Sequence, residues 1–126
     1  MLINEVMLDE KILVITPEGS LEKTDFETLS KEVDPYIEAM GTLNGLMIYS
    51  ESFSGWENFA ALLSHIKFIK EHHYNIKKVA AVTDSGFLSI LPRVAGHFVQ
   101  AEVKHFPYQD KEVALDWLKS SNKTNK

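Results

Sequence analysis

The sequence predicts an α/β domain in which a five-stranded mixed sheet packs with four helices in the order β-β-α-β-α-β-α-β-α. Three observations lead to that class. Runs rich in β-branched residues flank Asp9-Glu10 near the N-terminus. Beyond them, short apolar runs alternate with segments whose apolar residues recur at helical spacing. The 126 residues are 44% apolar, a size and composition that suit one core. Residues 1–120 therefore form one expected domain, and 121–126 an expected disordered polar tail.

INEVML (3–8) and KILVIT (11–16) read as a hairpin closed by Pro17 and Gly19. From about residue 21 to 40, Phe26, Leu29, Val33, Tyr36, Ile37 and Met40 mark one buried helical face. Thr24 and Glu27 are placed to form a capping box, and Pro35 is expected to kink or restart the helix. Gly41 to Gly45 reads as a turn, and LMIY (46–49) as a strand covered on both faces. A second helix is expected from Trp56 to His72, with Phe59, Leu62, Leu63, Ile66 and Ile69 on its stripe. VAAVT (79–83) is a buried strand, residues 86–99 a helix, and AEVKHF (101–106) an alternating edge strand. Asp110 is positioned to cap a last helix that ends near Lys119.

Composition excludes several functions. No cysteine is present, so disulfides, thiolate zinc sites and cysteine nucleophiles are ruled out. The formal charge of -5 argues against nucleic acid, whose phosphates call for clustered Lys and Arg. The small basic cluster of Lys67, Lys70, Lys77 and Lys78 with His72 and His73 reads as a solvated helix end. His65 and His72 share a helix face but stand about 10 Å apart along it, too far to hold one metal ion. With no apolar stretch long enough to span a bilayer and no signal-like N-terminus, a cytoplasmic location is expected.

Nucleotide-binding glycine motifs are absent, as is the strained Gly-x-Ser-x-Gly elbow of serine hydrolases. Glu57 reads as a first-turn carboxylate favoured by the helix dipole. The expectation is a non-enzymatic protein with no catalytic residue and no cofactor.

Binding is a different matter, because open α/β sheets collect ligands where strands end and helix N-termini begin. Two such loops stand out: Ser50 to Trp56, and Thr83 to Phe87. If their strands are neighbours, Ser52, Ser54, Trp56, Asp84, Ser85 and Phe87 line one cleft. The alternative is that the serines and Asp84 cap helices while the aromatics staple them to the sheet.

GFLSILPRVAGHFV (86–99) is the most unusual segment. Phe87, Leu88, Ile90, Leu91, Val94, Ala95, Phe98 and Val99 cover about half of its helical wheel, wider than one surface stripe. Pro92 is expected to break it, with Ser89 capping the second part. Such a segment is either buried on two sides or packed in a homodimer, or else it is a hinged lid over an apolar or lipid-like ligand that also touches the inner face of a membrane. Phe53 and Leu91 thereby join the candidate ligand-binding residues.

GLMIYSESFSGWENFAALL and VKHFPYQDKEVALDWL, in this element order, resemble the SpoIIAA-like family over about residues 2–119. That family belongs with the STAS domains of anti-sigma-factor antagonists and is structurally close to lipid-binding CRAL-TRIO domains. The STAS pattern carries an Asp-Ser-Ser-Gly run whose second serine is phosphorylated by a partner kinase. That serine corresponds to Ser54, immediately before Gly55, and the run here reads Ser52-Phe53-Ser54-Gly55, with no aspartate. The resemblance implies a regulatory, protein-binding domain with Ser54 as phosphoacceptor; from the CRAL-TRIO side it implies an apolar pocket under a movable helix.

Overall fold

The computed structural model describes residues 2–7, 9–17, 23–40, 43–51, 76–97 and 101–120. In chain order these form β1 (Leu2–Met7), β2 (Ile12–Pro17), α1 (Lys23–Met40), β3 (Leu43–Tyr49) and β4 (Ile76–Val82). A 3-10 turn (Ser85–Ser89) then leads into α2 (Leu91–His97) and β5 (Glu102–Phe106). A second 3-10 turn (Tyr108–Asp110) leads into α3 (Lys111–Lys119). The helix expected from Trp56 to His72, with its histidines, lies outside the described residues.

The five strands form one sheet in the order β1-β2-β3-β4-β5. β1 pairs antiparallel with β2, and the remaining pairs are parallel, so the sheet is mixed as expected. The hairpin turn places Lys11 in the left-handed region at φ 58, a conformation that costs a side-chain-bearing residue some strain. It is held there by β3: the Lys11 carbonyl accepts from the N-H groups of Asn44 (2.8 Å) and Gly45 (3.2 Å). Asn44 Nδ2 also donates to the Glu10 carbonyl at 3.0 Å. The turn expected over Gly41 to Gly45 is accordingly shorter, because β3 already begins at Leu43.

Strand alternation sends side chains to two covered faces. On the first, Leu13, Ile15, Leu46, Ile48, Val79 and Ala81 pack with Leu29 of α1 and with Phe87, Ile90 and Val94. On the second, Ile12, Val14, Met47, Ala80, Val82 and Phe106 pack with Ala114 and Leu118 of α3. Burial of each large side chain is worth roughly 1.5–3 kcal/mol. β3 from Leu46 and β4 from Val79 therefore read as continuous apolar runs.

α1 departs from its expected pattern in three ways. It runs through Pro35 as a single helix, and Thr24 lies inside its first turn instead of preceding it as a cap. Tyr36 is 51% exposed instead of buried. The cause is position: α1 lies over the edge strand β1, with Asn4 Nδ2 donating to Glu32 Oε1 at 2.9 Å, and the edge offers less cover than the sheet centre. Asp110 does occupy the N-cap position of α3, but its side chain makes no capping bond.

The second face corrects the reading of the basic cluster. Lys77 and Lys78 belong to β4, and Lys78 is only 4% exposed. Its ammonium donates to the Trp117 carbonyl (2.9 Å), the Ser120 carbonyl (3.2 Å) and Ser120 Oγ (2.7 Å), using all three of its hydrogens. These acceptors sit at the C-terminal end of α3, where the helix leaves carbonyls unpaired and the dipole favours a cation. The indole of Trp117 adds a ring face 5.1 Å from the same nitrogen.

Gly45, beside Lys78 in the parallel register, makes this docking close. A Cβ at Gly45 would stand 2.9 Å from Leu118 Cδ2 and 3.0 Å from Leu118 Cβ.

Two substitutions test this packing. Lys78→Met should lower stability by about 2 kcal/mol, the scale of lost charge-assisted hydrogen bonds, and speed amide exchange in the last turn of α3. A thermal melt with exchange mass spectrometry reads both. Gly45→Ala should cost about 1–3 kcal/mol by overpacking, despite the entropy benefit of removing a glycine. In a double-mutant cycle, Leu118→Ala should recover part of that loss, since each change alone disturbs the same contact.

Candidate functional site

β3 and β4 are adjacent and parallel, with Tyr49 opposite Val82, so their carboxyl ends open at the same place. The Ser50 N-H donates to the Val82 carbonyl at 3.1 Å, and the Thr83 N-H donates to the Phe106 carbonyl at 3.1 Å. The condition for one shared cleft, that these two strands be neighbours, is met. Ser52, Phe53, Ser54 and Trp56 lie outside the described residues. Asp84, Ser85, Phe87 and Leu91 lie within them.

These four have different surroundings. Asp84 is exposed and caps the 3-10 turn, its Oδ1 accepting from the Gly86 N-H at 3.0 Å. Ser85 is exposed beside it. Phe87 is buried in the first-face core and stacks on the His105 ring, with centroids 6.0 Å apart and planes at 17°. Leu91 is half-buried against the same core. Asp84 therefore fills the capping role, and Phe87 the stapling role, that were weighed as the alternative to a cleft.

The segment expected as one interrupted helix is two pieces. The break falls at Ile90, and Pro92 sits in the first turn of α2, where its missing N-H costs little. Ser89 does not cap α2; its hydroxyl donates back to the Gly86 carbonyl at 2.9 Å. The buried side is narrower than the wheel predicted: Phe87, Ile90 and Val94 face the core, while Leu88 is 51% exposed and Ala95 is exposed. Phe98 and Val99 lie outside the described residues.

Two groups complete the site that were not among the candidates. His105, on β5 opposite Ala81, points Nε2 at the carbonyls of Thr83 (2.9 Å) and Asp84 (3.0 Å). Both partners accept, so Nε2 carries a hydrogen and ties the loop after β4 to the neighbouring strand. Thr83 is 3% exposed, and its Oγ1 has no hydrogen-bond partner among the described residues. Strand alternation was the available signal for both, since it carries Ala81 and Thr83, and Val103 and His105, to the first face.

The opposite face of this edge is closed by aromatics. Tyr49 and Tyr108 stack with centroids 4.7 Å apart and planes at 11°. Lys111 Nζ lies 4.6 Å from the Tyr49 ring centroid. Among the described residues, no group of three or more His, Asp or Glu is placed to hold a metal ion. No described helix is long and apolar enough to cross a membrane.

A hairpin leading into a parallel sheet, with helices against both faces, is the architecture of a STAS-type domain. A family model described as SpoIIAA-like matches residues 12–119, and the chain belongs to that family. Searches of curated proteins and of solved structures gave no match.

Replacing His105 with Leu should leave the Thr83 and Asp84 carbonyls without their donor. The expected loss is about 1–3 kcal/mol, with faster amide exchange confined to residues 84–90. Unchanged exchange there would show that the tie does not hold the loop.

Proposed function

We propose that this domain is a non-enzymatic regulator that docks a protein partner at the carboxyl ends of β3 and β4, switched by phosphorylation at Ser54. The pairing of those strands carries this reading: the segment that bears Ser54 leaves the sheet at Ser50, beside the Asp84 loop. A phosphate on Ser54, four residues beyond Ser50 in the chain, adds nearly two negative charges to a segment that already carries the exposed Glu51. Repulsion of that size is enough to discriminate between two forms of a docking surface. Leu88, 51% exposed on the same loop, supplies an apolar anchor. With a net charge of -5, the surface favours a partner that presents basic residues.

A second reading has its own observation. The partnerless Thr83 hydroxyl favours a small, partly apolar or lipid-like ligand held between the Ser54 and Asp84 loops. In that reading residues 86–99 are a mobile cover that also meets a membrane surface or a second copy of the chain.

The regulator reading is tested by incubating the protein with host extract and ATP, then mapping phosphate by mass spectrometry. Phosphate is expected on Ser54, and Ser54→Asp and Leu88→Asp should each weaken retention of a partner at least about tenfold, as loss of one hot-spot contact does. Absence of phosphate at Ser54, with identical retention by all forms, overturns it. For the ligand reading, native mass spectrometry should find a co-purifying mass and hydrogen exchange should be fast over 86–99. A clean apo mass with full protection removes it.

A further inference from the structure

β5 is an edge of the sheet: among the described residues it has β4 on one side and no strand on the other. The Thr83 N-H donates to the Phe106 carbonyl, so Phe106, and with it Lys104 and Glu102, turn their backbone groups toward β4. Val103 and His105 therefore turn theirs outward, where no described residue takes them up. Such an edge is a template for another strand, and a charge at its centre, Lys above all, is the usual way to block pairing. Lys104 has that place in β5, but Glu102 stands two residues before it, and both are exposed. Alternation carries the two to the second face together with Phe106, while Ala101 and Val103 pack against the first-face core.

We propose that β5 pairs antiparallel with β5 of a second copy of this chain about a two-fold axis at Val103, so that one five-stranded sheet continues into the next. Backbone and charge together set this register. Opposed residues of an antiparallel pair both face the partner strand or both face away, so the axis falls on a residue and not between two. At Val103 it opposes Glu102 of each copy to Lys104 of the other, at the close, non-hydrogen-bonded positions of the ladder where opposite charges interact best. An axis at Glu102 or Lys104 sets like charges against each other, and one at His105 leaves Lys104 opposite Phe106. The Lys104 ammonium lies over the rings of Phe106 (5.2 Å) and Trp117 (5.7 Å), which draws it along the strand away from Val103 and from its own counterpart. On the first face Val103 meets Val103, and the His105 ring, held by the Thr83 and Asp84 carbonyls, meets only the small Ala101. This pairing is independent of the Ser54 and ligand readings. It uses the side of the sheet, and the two-fold points the carboxyl ends of β3 and β4 in the two copies in opposite directions.

Sedimentation velocity on the full chain, from about 10 μM to about 1 mM, should show a monomer–dimer equilibrium. Glu102→Lys and Lys104→Glu each turn both attractive pairs into repulsive ones. Each should weaken the dimer about tenfold or more while the melting temperature stays close to that of wild type. The double variant Glu102→Lys/Lys104→Glu should recover the original affinity to within about threefold, and a mixture of the two single variants should form the heterodimer. Amide exchange followed by NMR should slow with rising concentration at Val103 and His105, but not at Glu102 and Lys104, whose N-H groups already bond β4. A monomer at every concentration overturns the proposal. So does a dimer indifferent to the charge reversals, a double variant that stays weak, or a Val103 amide that exchanges equally fast in monomer and dimer.

Discussion

Parallel pairing of β3 with β4 decides where everything else in the molecule sits. Both strands lie inside the sheet with a neighbour on each side, are covered on both faces, and are apolar along most of their length. At their amino ends, Gly45 and Lys78 stand side by side and receive the last turn of α3. At their carboxyl ends, Ser50 and Thr83 stand side by side and open the candidate cleft. One pairing register thus fixes a structural dock at one end of the strands and a site at the other. A slip of one residue would turn Lys78 toward the opposite core and take the glycine from beneath Leu118.

Lys78 shows how a charge can belong inside such a sheet. Removing an ammonium from water is costly unless its hydrogens all find acceptors. The end of a helix offers carbonyls with spare accepting capacity: that of Trp117, which also accepts from the Ser120 N-H and hydroxyl, and that of Ser120 each take a hydrogen from Lys78. Lys104 extends the cationic edge of this contact, 5.7 Å from the Trp117 ring centroid, although it remains exposed. Because α3 is joined to the sheet by directional bonds as well as apolar packing, its placement along the strands is fixed and not merely favoured.

Much of this architecture was legible in the sequence, and what was not has identifiable causes. The hairpin, the buried β3 and β4, the alternating edge strand and the final helix follow from periods of two and 3.6 residues, which are local properties. Lys78 was misread because the groups that accept its hydrogens lie 39 and 42 residues further along the chain. Tyr36 was misread because periodicity reports that a stripe exists, not how far the sheet beneath it extends. In the segment 86–99, Pro92 signalled a break, but the 3-10 winding of Ser85–Ser89 rotates Leu88 outward, and a wheel drawn at 100° per residue cannot show that. The site was half legible. Asp84 and Phe87 stood out as turn and aromatic signals, whereas the parts played by Thr83 and His105 depend on which strand lies beside β4.

The two uses considered for the carboxyl edge are physically linked, because they act on one short piece of backbone. His105 holds the consecutive carbonyls of Thr83 and Asp84, and Asp84 in turn caps the 3-10 turn that carries Leu88. The second face at this edge is already filled by the stacked Tyr49 and Tyr108 with Lys111 above them. Thr83 itself lies on the first face, and a shift of its carbonyl would be passed through His105 and Asp84 to the segment presenting Leu88. Reciprocity then follows from linkage: a partner that prefers one position of Leu88 changes ligand affinity by the factor with which the ligand changes partner affinity. The apolar anchors of Phe87, Ile90 and Val94 set the scale of that coupling, since they limit how far the 3-10 turn can shift before core contacts are lost. The loop after β4 is thus tied at one end by a histidine and at the other by its buried side chains, so a docking partner of the proposed kind would meet a surface held nearly in place.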